Sequence, residues 1–235
     1  MKRKLVNRWL IFIAGTIILN LGIIMSTKAG LGVSPIISIA YCLSEIHHLT
    51  IGDVTLVMYV VFVVIQLLLH RRAKQKKSVF IMDILQIPVS LAVTRLMNLF
   101  AFWLPNLVTD CAGTFWGAIP GRIIFLLAAL ALTAIGCAMS LSMRLIPNPA
   151  DGAVQAISDT LRINLGLTKN LFDVTCILIS CVICLLSVRH LVGIGPGTIL
   201  GMLCVGRGVS LFNRHLSGNL QTAAGIQATP APSGG

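Results

Sequence analysis

The sequence predicts an all-α polytopic membrane protein with six transmembrane helices and two short re-entrant or broken helices, arranged as a 3+3 inverted-topology repeat. Three observations lead to this prediction: an apolar composition, long apolar runs beside basic clusters, and motifs that recur in both halves. Hydrophobic residues make up 56% of the 235 residues, charged residues only 11%, and the mean hydropathy is +0.93. This balance is far from that of a soluble domain.

The apolar runs are long enough for a multi-pass protein. A helix needs about 20 apolar residues to cross a bilayer core of about 30 Å. Two helical segments, 34–46 and 149–161, are too short to cross comfortably at about 1.5 Å per residue, and each follows a Gly- or Pro-rich turn. The stretches that meet or approach the required length are 8–27, 53–70, 79–104, 120–142, 170–188 and 197–213.

The basic residues orient these spans. The chain has 18 Lys and Arg against 7 Asp and Glu, and the basic blocks "MKRKLVNR" and "HRRAKQKK" flank apolar runs without interleaved aromatic residues. Short basic loops stay on the cytoplasmic side. If both short segments enter and leave on one side, only Lys28, Arg122 and Arg189 of the loop cations lie outside. We therefore expect a multi-pass membrane protein with both termini cytoplasmic and no nucleic-acid partner.

Internal similarity predicts the repeat. "LGIIMS" at 21–26 resembles "IGCAMS" at 135–140, an Asp-Val-Thr motif occurs at 53 and again at 173, and "TRLMNLF" at 94–100 resembles "GRGVSLF" at 206–212. The separations are 114, 120 and 112 residues. Each half then has three crossings, so the second half is inverted relative to the first. Inverted repeats with short helices are typical of secondary transporters, whose solute site lies between the halves near the midplane.

The sequence predicts one transmembrane domain over residues 1–216. Repeat one covers about 8–104 and repeat two about 118–214. The remaining segment, 217–235, is small, polar and rich in Pro and Gly, so we expect it to be disordered. Its end also has the composition of a cloning remnant.

Polar groups at the short helices and inside the spans form the candidate solute site. Both short helices begin with a capping residue followed by proline, and a helix start inside the membrane presents free backbone N–H groups to an anionic or polar ligand. Charged groups inside a span should face protein, water or a ligand. The candidate residues are Ser34, Pro35, Asp83, Gln86, Arg95, Asn148, Asp151, Gln155 and Arg207.

Each of these interpretations has a structural alternative. Arg207 lies seven residues from Arg214 and could extend to the lipid headgroups. The Ser-Pro and Asn-Pro pairs could simply punctuate loops. Asp53 and Asp173 stand near span starts, where stabilisation of the helix dipole explains them without a function.

Asp83 could pair with an arginine or carry a coupling proton, or it could be an interfacial acid near Lys76 and Lys77. Arg95 could face the site or form an ion pair.

Catalysis, metals and cofactors find no support in the sequence. There is no nucleophile elbow, phosphate-binding loop or pair of catalytic carboxylates. His47 and His48 have no convincing partner ligands, and most of the seven cysteines lie in apolar runs, where a thiol packs as a small hydrophobe. We expect no enzyme activity and no cofactor.

Three segments together carry a family resemblance. "AGLGVSPIISIAYCLSE", "IPNPADGAVQAISDTL" and "VGIGPGTILGMLCVGRGVSLF" resemble the YczE/YyaS/YitT-like bacterial integral membrane proteins over roughly residues 8–215, with the YczE branch more similar because no soluble C-terminal domain follows. The resemblance implies a membrane location and this fold, and it names no substrate. The recurring turns fall on Gly30, Gly32, Ser34, Pro35, Pro149, Asp151, Gly152, Gly193, Gly195 and Gly197.

These observations favour a secondary transporter of a small polar or anionic solute. Two other classes stay open: a solute-binding membrane subunit that needs an ATPase partner, as in energy-coupling-factor transporters, and a membrane accessory protein without transport. The expected partners are the solute and the lipid bilayer, and a homodimer is an open assembly.

Overall fold

The computed structural model describes residues 2–212, 214–215 and 218–224, and these residues form helices without a β-strand. Two of the helices, in corresponding parts of the chain, have only 13 residues each. In chain order the helices are α1 (Lys2–Lys28), α2 (Pro35–His47), α3 (Ile51–Arg72), α4 (Lys77–Trp103), α5 (Ile119–Ser142), α6 (Pro149–Leu161), α7 (Leu165–Ser187), α8 (Pro196–Phe212) and α9 (Gly218–Ala223).

Five helices, α1, α3, α4, α5 and α7, are long and apolar enough to cross a membrane. The protein is therefore a multi-pass membrane protein by the length and composition of its helices. The sixth expected span corresponds to α8, an apolar helix of only 17 residues. The expected bounds of all eight main helices agree with the structure to within a few residues, except at the starts of α1 and α7, which lie about one turn or more earlier.

Capping residues place the starts of several helices. The Thr50 side chain accepts a hydrogen bond from the backbone N–H of Asp53 at the start of α3. Asn164 does the same for α7 through the N–H of Gly166. At the other end of the short helices, His48 and Arg162 have φ of 52° and 56°, which is the left-handed conformation that terminates a helix.

The centre of the molecule is a close antiparallel contact between α1 and α5. Gly22 packs on Ala129 and Thr133, so that a Cβ added at Gly22 would lie 2.7 Å from the Ala129 carbonyl oxygen. Gly136 packs on Gly15 and Leu19, and a Cβ there would lie 2.6 Å from the Gly15 carbonyl oxygen. Small residues allow two membrane helices to approach to backbone contact.

Two arginines fasten the ends of this helix pair. Arg8 near the start of α1 donates from Nε and Nη2 to the carbonyls of Met143 and Arg144, both at 2.7 Å. Arg122 near the start of α5 donates from Nε to the carbonyl of Ala29, at 2.8 Å, and from Nη2 to that of Gly30. Each guanidinium thus binds the carbonyls that a helix end leaves free, and its charge suits the negative end of the helix dipole.

The two short helices pack on long helices of the opposite part of the chain. In the contact of α2 with α7, the Ser180 hydroxyl donates to the Ser38 carbonyl at 3.1 Å, and Cys42 and Cys184 are joined as a disulfide with a Cα–Cα distance of 6.6 Å. The sequence interpretation of these two cysteines as packing residues is therefore incomplete. In the contact of α6 with α3, Gly152 lies directly against the side chain of Gln66.

The start of the expected disordered tail is ordered. Residues 218–223 form α9, and Leu220 packs beside a buried cluster that contains Phe12, Met143 and Ala224. The expectation of disorder fails here because a few apolar side chains find a surface on α1 and α5, which composition alone does not reveal. The remainder of the expected tail, 225–235, lies outside the described residues.

Candidate functional site

A small cavity lies among the middle parts of the long helices. Its volume is about 30 Å³, enough for one water-sized group. Ser90 and Val93 line it from the middle of α4, Asn20 from α1 and Tyr59 from α3. The polypeptide that leads into α6 lines another side of it. The full lining is Phe12, Thr16, Leu19, Asn20, Tyr59, Val89, Ser90, Val93, Ser140, Ile146, Pro147, Asn148 and Pro149.

The start of α6 and an unsatisfied hydroxyl both face this cavity. Asn148 caps α6 by accepting from the N–H of Ala150 at 3.2 Å, as the sequence predicts, and its amide nitrogen lies 3.4 Å from the Tyr59 hydroxyl. Ser90 is 2% exposed, and within the described part of the chain its hydroxyl is the one buried side-chain polar atom that has no hydrogen-bond partner. Such an orphaned group is costly unless a ligand or water completes it.

Ser90 belongs to a polar stripe along one face of α4, and it is not among the residues predicted from the sequence. The buried positions of α4 include Asp83, Gln86, Ser90 and Thr94. Their spacings of three, four and four residues place them on one helix face. In a membrane helix, a polar face is the one turned toward protein or a ligand. Helical periodicity of polar residues would therefore have identified Ser90.

An amide pair connects the stripe to the start of α6. Gln66 on α3 and Gln86 on α4 exchange two hydrogen bonds of 3.2 and 3.0 Å, and Gln66 also donates to the carbonyl of Pro149 at 3.0 Å. Gln86 does not line the cavity, and its side-chain amide is bonded to that of Gln66. Its contribution is to fix α6 against α3 and α4.

Asp83 lies about one turn before Gln86, toward the start of α4 and away from the cavity. Its carboxylate is 2.7 Å from Nδ1 of His70 on α3, and Asp83 is 3% exposed. The structure therefore pairs Asp83 with a histidine near the basic loop between α3 and α4. The sequence suggests an arginine or the neighbouring lysines as partners of Asp83, and the observed partner is His70.

A second polar group lies on α6 and α7. Lys169 Nζ is 3.2 Å from Asp151 Oδ1, and Asp173 stands one turn beyond Lys169 on α7. Asp173 is 5% exposed and accepts no hydrogen bond from the residues that the structure describes. Asp151 was predicted as a site residue, whereas Lys169 and Asp173 were not.

A larger depression opens between the ends of α1, α2 and α4. Its volume is about 300 Å³, and its lining includes Lys28, Glu45 and Asn98. Along α1 and α4, an apolar cluster that contains Ile24 and Met97 lies between this depression and the central cavity. Nearby, in the loop after α4, the backbone N–H of Asn106 holds the pKa of Asp110 below its usual value.

The other predicted residues do not reach the central cavity. Ser34 and Pro35 begin α2 as predicted, but the Ser34 side chain makes no capping hydrogen bond, and the adjacent Val33 N–H bonds to the carbonyl of Gly193 instead. Arg95 lies 2.6 Å from Asp53, and both side chains are about half exposed. The expected cavity-facing role of Arg95 therefore fails, and its ion-paired alternative fits.

Gln155 and Arg207 are likewise away from the cavity. Both are exposed, because α6 and α8 turn those helix faces outward. Gln155 donates to Asp159 on the next turn of its own helix at 2.8 Å. Arg207 has no hydrogen bond or ion pair within the described residues, which fits the expected extension toward headgroups. Among all the residues that the structure describes, no group of three or more His, Cys, Asp or Glu could hold a metal ion.

The comparisons with known proteins give one match. A family model described as a family of unknown function (DUF6198) matches residues 6–214. This description carries no activity, and it does not confirm the YczE resemblance. No curated protein and no solved structure matches the chain.

Proposed function

The chain belongs to the DUF6198 family, and we propose that it is a secondary transporter that carries a small polar or anionic solute across the bacterial inner membrane. In this proposal both termini are cytoplasmic, and the two halves of the chain are inverted copies that alternate access to the central cavity. Such transporters hold the solute near the midplane, where short helices begin.

Reciprocal contacts support the inverted repeat. With a separation of 114 residues between the halves, Arg8 corresponds to Arg122 and Ala29 corresponds to Met143. Arg122 binds Ala29 and its neighbour, and Arg8 binds Met143 and its neighbour. Contacts that map onto themselves when the halves are exchanged are those expected of two halves related by a two-fold axis, and the antiparallel course of α1 and α5 fits such an axis. Two other pairs of contacts are related by the same separation. The contact of Gly22 with Ala129 and Thr133 corresponds to that of Gly136 with Gly15 and Leu19. The contact of Ser38 with Ser180 corresponds to that of Gly152 with Gln66.

The same separation corrects the register that the sequence motifs suggested. The Asp-Val-Thr motifs are 120 residues apart, whereas α3 and α7 begin 114 residues apart, at Ile51 and Leu165. The caps Thr50 and Asn164 fix these starts. Asp173 therefore corresponds to Tyr59 and not to Asp53.

The unpartnered Ser90 hydroxyl, facing the start of α6 in a small cavity, is the observation that carries the proposal. In a soluble protein a water could satisfy this hydroxyl without a function. Here the cavity lies among the centres of α1 and α4, where polar groups are costly and mark solute paths. The positive end of the α6 dipole favours an anionic or polar group next to Ser90.

The cavity must widen to admit a solute, because its volume of about 30 Å³ fits only a water-sized group. The apolar cluster with Ile24 and Met97 separates the cavity from the larger depression, which we assign to the outer side. Opening toward that side requires α1 and α4 to separate at this cluster.

Transport is tested in liposomes with a variant that fills the cavity. Wild-type protein is reconstituted and uptake of a panel of radiolabelled inorganic anions, carboxylates and small amides is measured under proton and sodium gradients. Ser90→Leu should reduce uptake at least tenfold, because the leucine occupies the cavity. Ser210→Leu is the matched control, since Ser210 is exposed on α8 and should leave uptake unchanged.

Two results would contradict the proposal. One is the absence of gradient-driven uptake of every compound by wild-type protein that is folded and correctly inserted. The other is uptake that Ser90→Leu leaves at the wild-type rate.

A further inference from the structure

We propose that Asp173 is the proton-binding residue of this protein, and that Lys169 and Asp151 form the ion pair that sets its charge. As the coupling site of a proton-driven transporter, this inference rests on the proposed function. Proton binding itself is a property of the folded chain and can be tested without any solute.

The repeat provides an internal comparison for these charges. With the 114-residue separation, Asp151, Lys169 and Asp173 correspond to Ile37, Thr55 and Tyr59. Those three residues are buried and uncharged in the first half. The first half therefore has the same arrangement of helices with uncharged residues at these three positions. The fold does not require the charged group in the second half.

The charges in this group do not balance. Lys169 is engaged with Asp151 at 3.2 Å, so that one ammonium faces two carboxylates. Asp173 is 5% exposed and accepts no hydrogen bond from a described residue, although its carboxylate oxygens are not fully shielded from solvent. An ionised carboxylate with little water and no protein donor is unfavourable in a membrane protein. One bound proton converts Asp173 to a carboxylic acid and brings the net charge of the group from minus one to zero.

Among the described residues, Lys169 is the cation that acts on Asp173. The titratable groups that act on it or on its partners are Lys169 and Cys176 of α7, Asp151 of α6, Cys137 of α5 and Tyr59 of α3. Asp151 opposes a negative charge on Asp173, and only Lys169 favours it. The side chains of Asp151 and Lys169 are 27% and 41% exposed, so protons can reach the group from the surface.

Proton loss then changes how easily the second half can move. With Asp173 protonated, α6 and α7 carry a neutral group that can pass through an apolar environment. With Asp173 ionised, the extra charge holds these helices in whichever state exposes them to water. A proton gradient would drive the exchange of states in this way.

The test is the pH dependence of stability in detergent, with protons as the only ligand. The melting temperatures of wild-type protein, Asp173→Asn and Asp159→Asn are compared from pH 5 to pH 9 in sodium and in choline buffers. A proton that the folded state binds more tightly than the unfolded state stabilises at low pH, and this stabilisation is lost as pH rises. Asp173→Asn mimics the protonated acid and keeps its stability.

The unfolded chain releases this proton at about pH 4, so we expect the melting temperature of Asp173→Asn to exceed that of wild type by a margin that widens as pH rises from 5 and levels off once Asp173 is ionised in the folded protein. Where the folded protein holds one proton more than the unfolded chain, the wild-type ratio of folded to unfolded molecules falls up to tenfold per pH unit. Asp159→Asn, at an exposed carboxylate, should follow wild type at every pH. If Asp173→Asn does not fold, Asp173→Leu replaces it with the same expectation.

Three outcomes decide the proposal. A constant difference between wild type and both Asp173 variants overturns it, and so does a difference that follows sodium rather than pH. Failure of both variants to fold at any pH also overturns it, because a neutral residue would then not replace the protonated acid. If the pH effect is present but liposomes show no transport, Asp173 binds a proton and the transporter assignment is the part that fails.

Discussion

Adding one methyl group at the contact of α1 and α5 should destabilise the protein from either side of that contact. A Cβ at Gly22 would lie 2.5 Å from Thr133 Oγ1 and 2.7 Å from the Ala129 carbonyl oxygen. Ordinary contact requires about 3.4 Å or more, so α1 and α5 must separate by roughly 1 Å. Overpacking of this kind costs about 1–3 kcal/mol. Gly136→Ala meets the backbone of Leu19 in the equivalent position and should cost a similar amount.

The assay is thermal unfolding of the purified variants in detergent, and Gly206→Ala is the control. No atom lies within 4 Å of a Cβ at Gly206, on α8. Its replacement should stabilise the helix by up to about 1 kcal/mol, a gain common to every helical Gly→Ala change. The melting temperature of Gly22→Ala should therefore fall below that of Gly206→Ala by about 2–12 °C. Equal melting temperatures for these variants would refute the helix contact.

Two further predictions concern the arginines. Arg8→Gln and Arg122→Gln should each lower the free energy of unfolding by about 1.5–3 kcal/mol, because each removes two charged hydrogen bonds to helix-end carbonyls. The control is Arg72→Gln, at an exposed position, which should change the free energy of unfolding by less than about 0.5 kcal/mol. Thermal unfolding measures all three variants, and an Arg8→Gln variant as stable as wild type would contradict the packing of α1 on α5. Arg95→Gln should cost less than about 1 kcal/mol and leave solute uptake unchanged, because its ion pair with Asp53 is half exposed. Loss of uptake in that variant would return Arg95 to the solute path.

The helices were predictable because each depends on local signals. Apolar length marks the long helices, and the capping residues Asn148 and Ser34 with a following proline mark the short ones. The shorter α8 could also be anticipated, since Gly195 and Pro196 limit how far it can extend toward the preceding loop. These features act within a few residues of the chain.

The site was harder to predict because it depends on which helices face each other. The sequence shows Asp53 and Arg95 as isolated charges, and only the packing of α3 on α4 makes them a surface ion pair. In the same way, Asp173 resembles a helix-start acid until the caps fix the register of α7. Ser90 is the exception, because the polar periodicity of α4 points to it without any tertiary information.

The inverted arrangement of the two halves is the central claim, and the sidedness of matched positions tests it most directly. His47 at the end of α2 and Leu161 at the end of α6 are exposed and 114 residues apart. Each is replaced by cysteine in a background without Cys111 and Cys204, and a membrane-impermeant maleimide is applied to intact spheroplasts and to inside-out vesicles. The account predicts that His47→Cys reacts only in spheroplasts and Leu161→Cys only in inside-out vesicles. Labelling of both cysteines from the same side would contradict it.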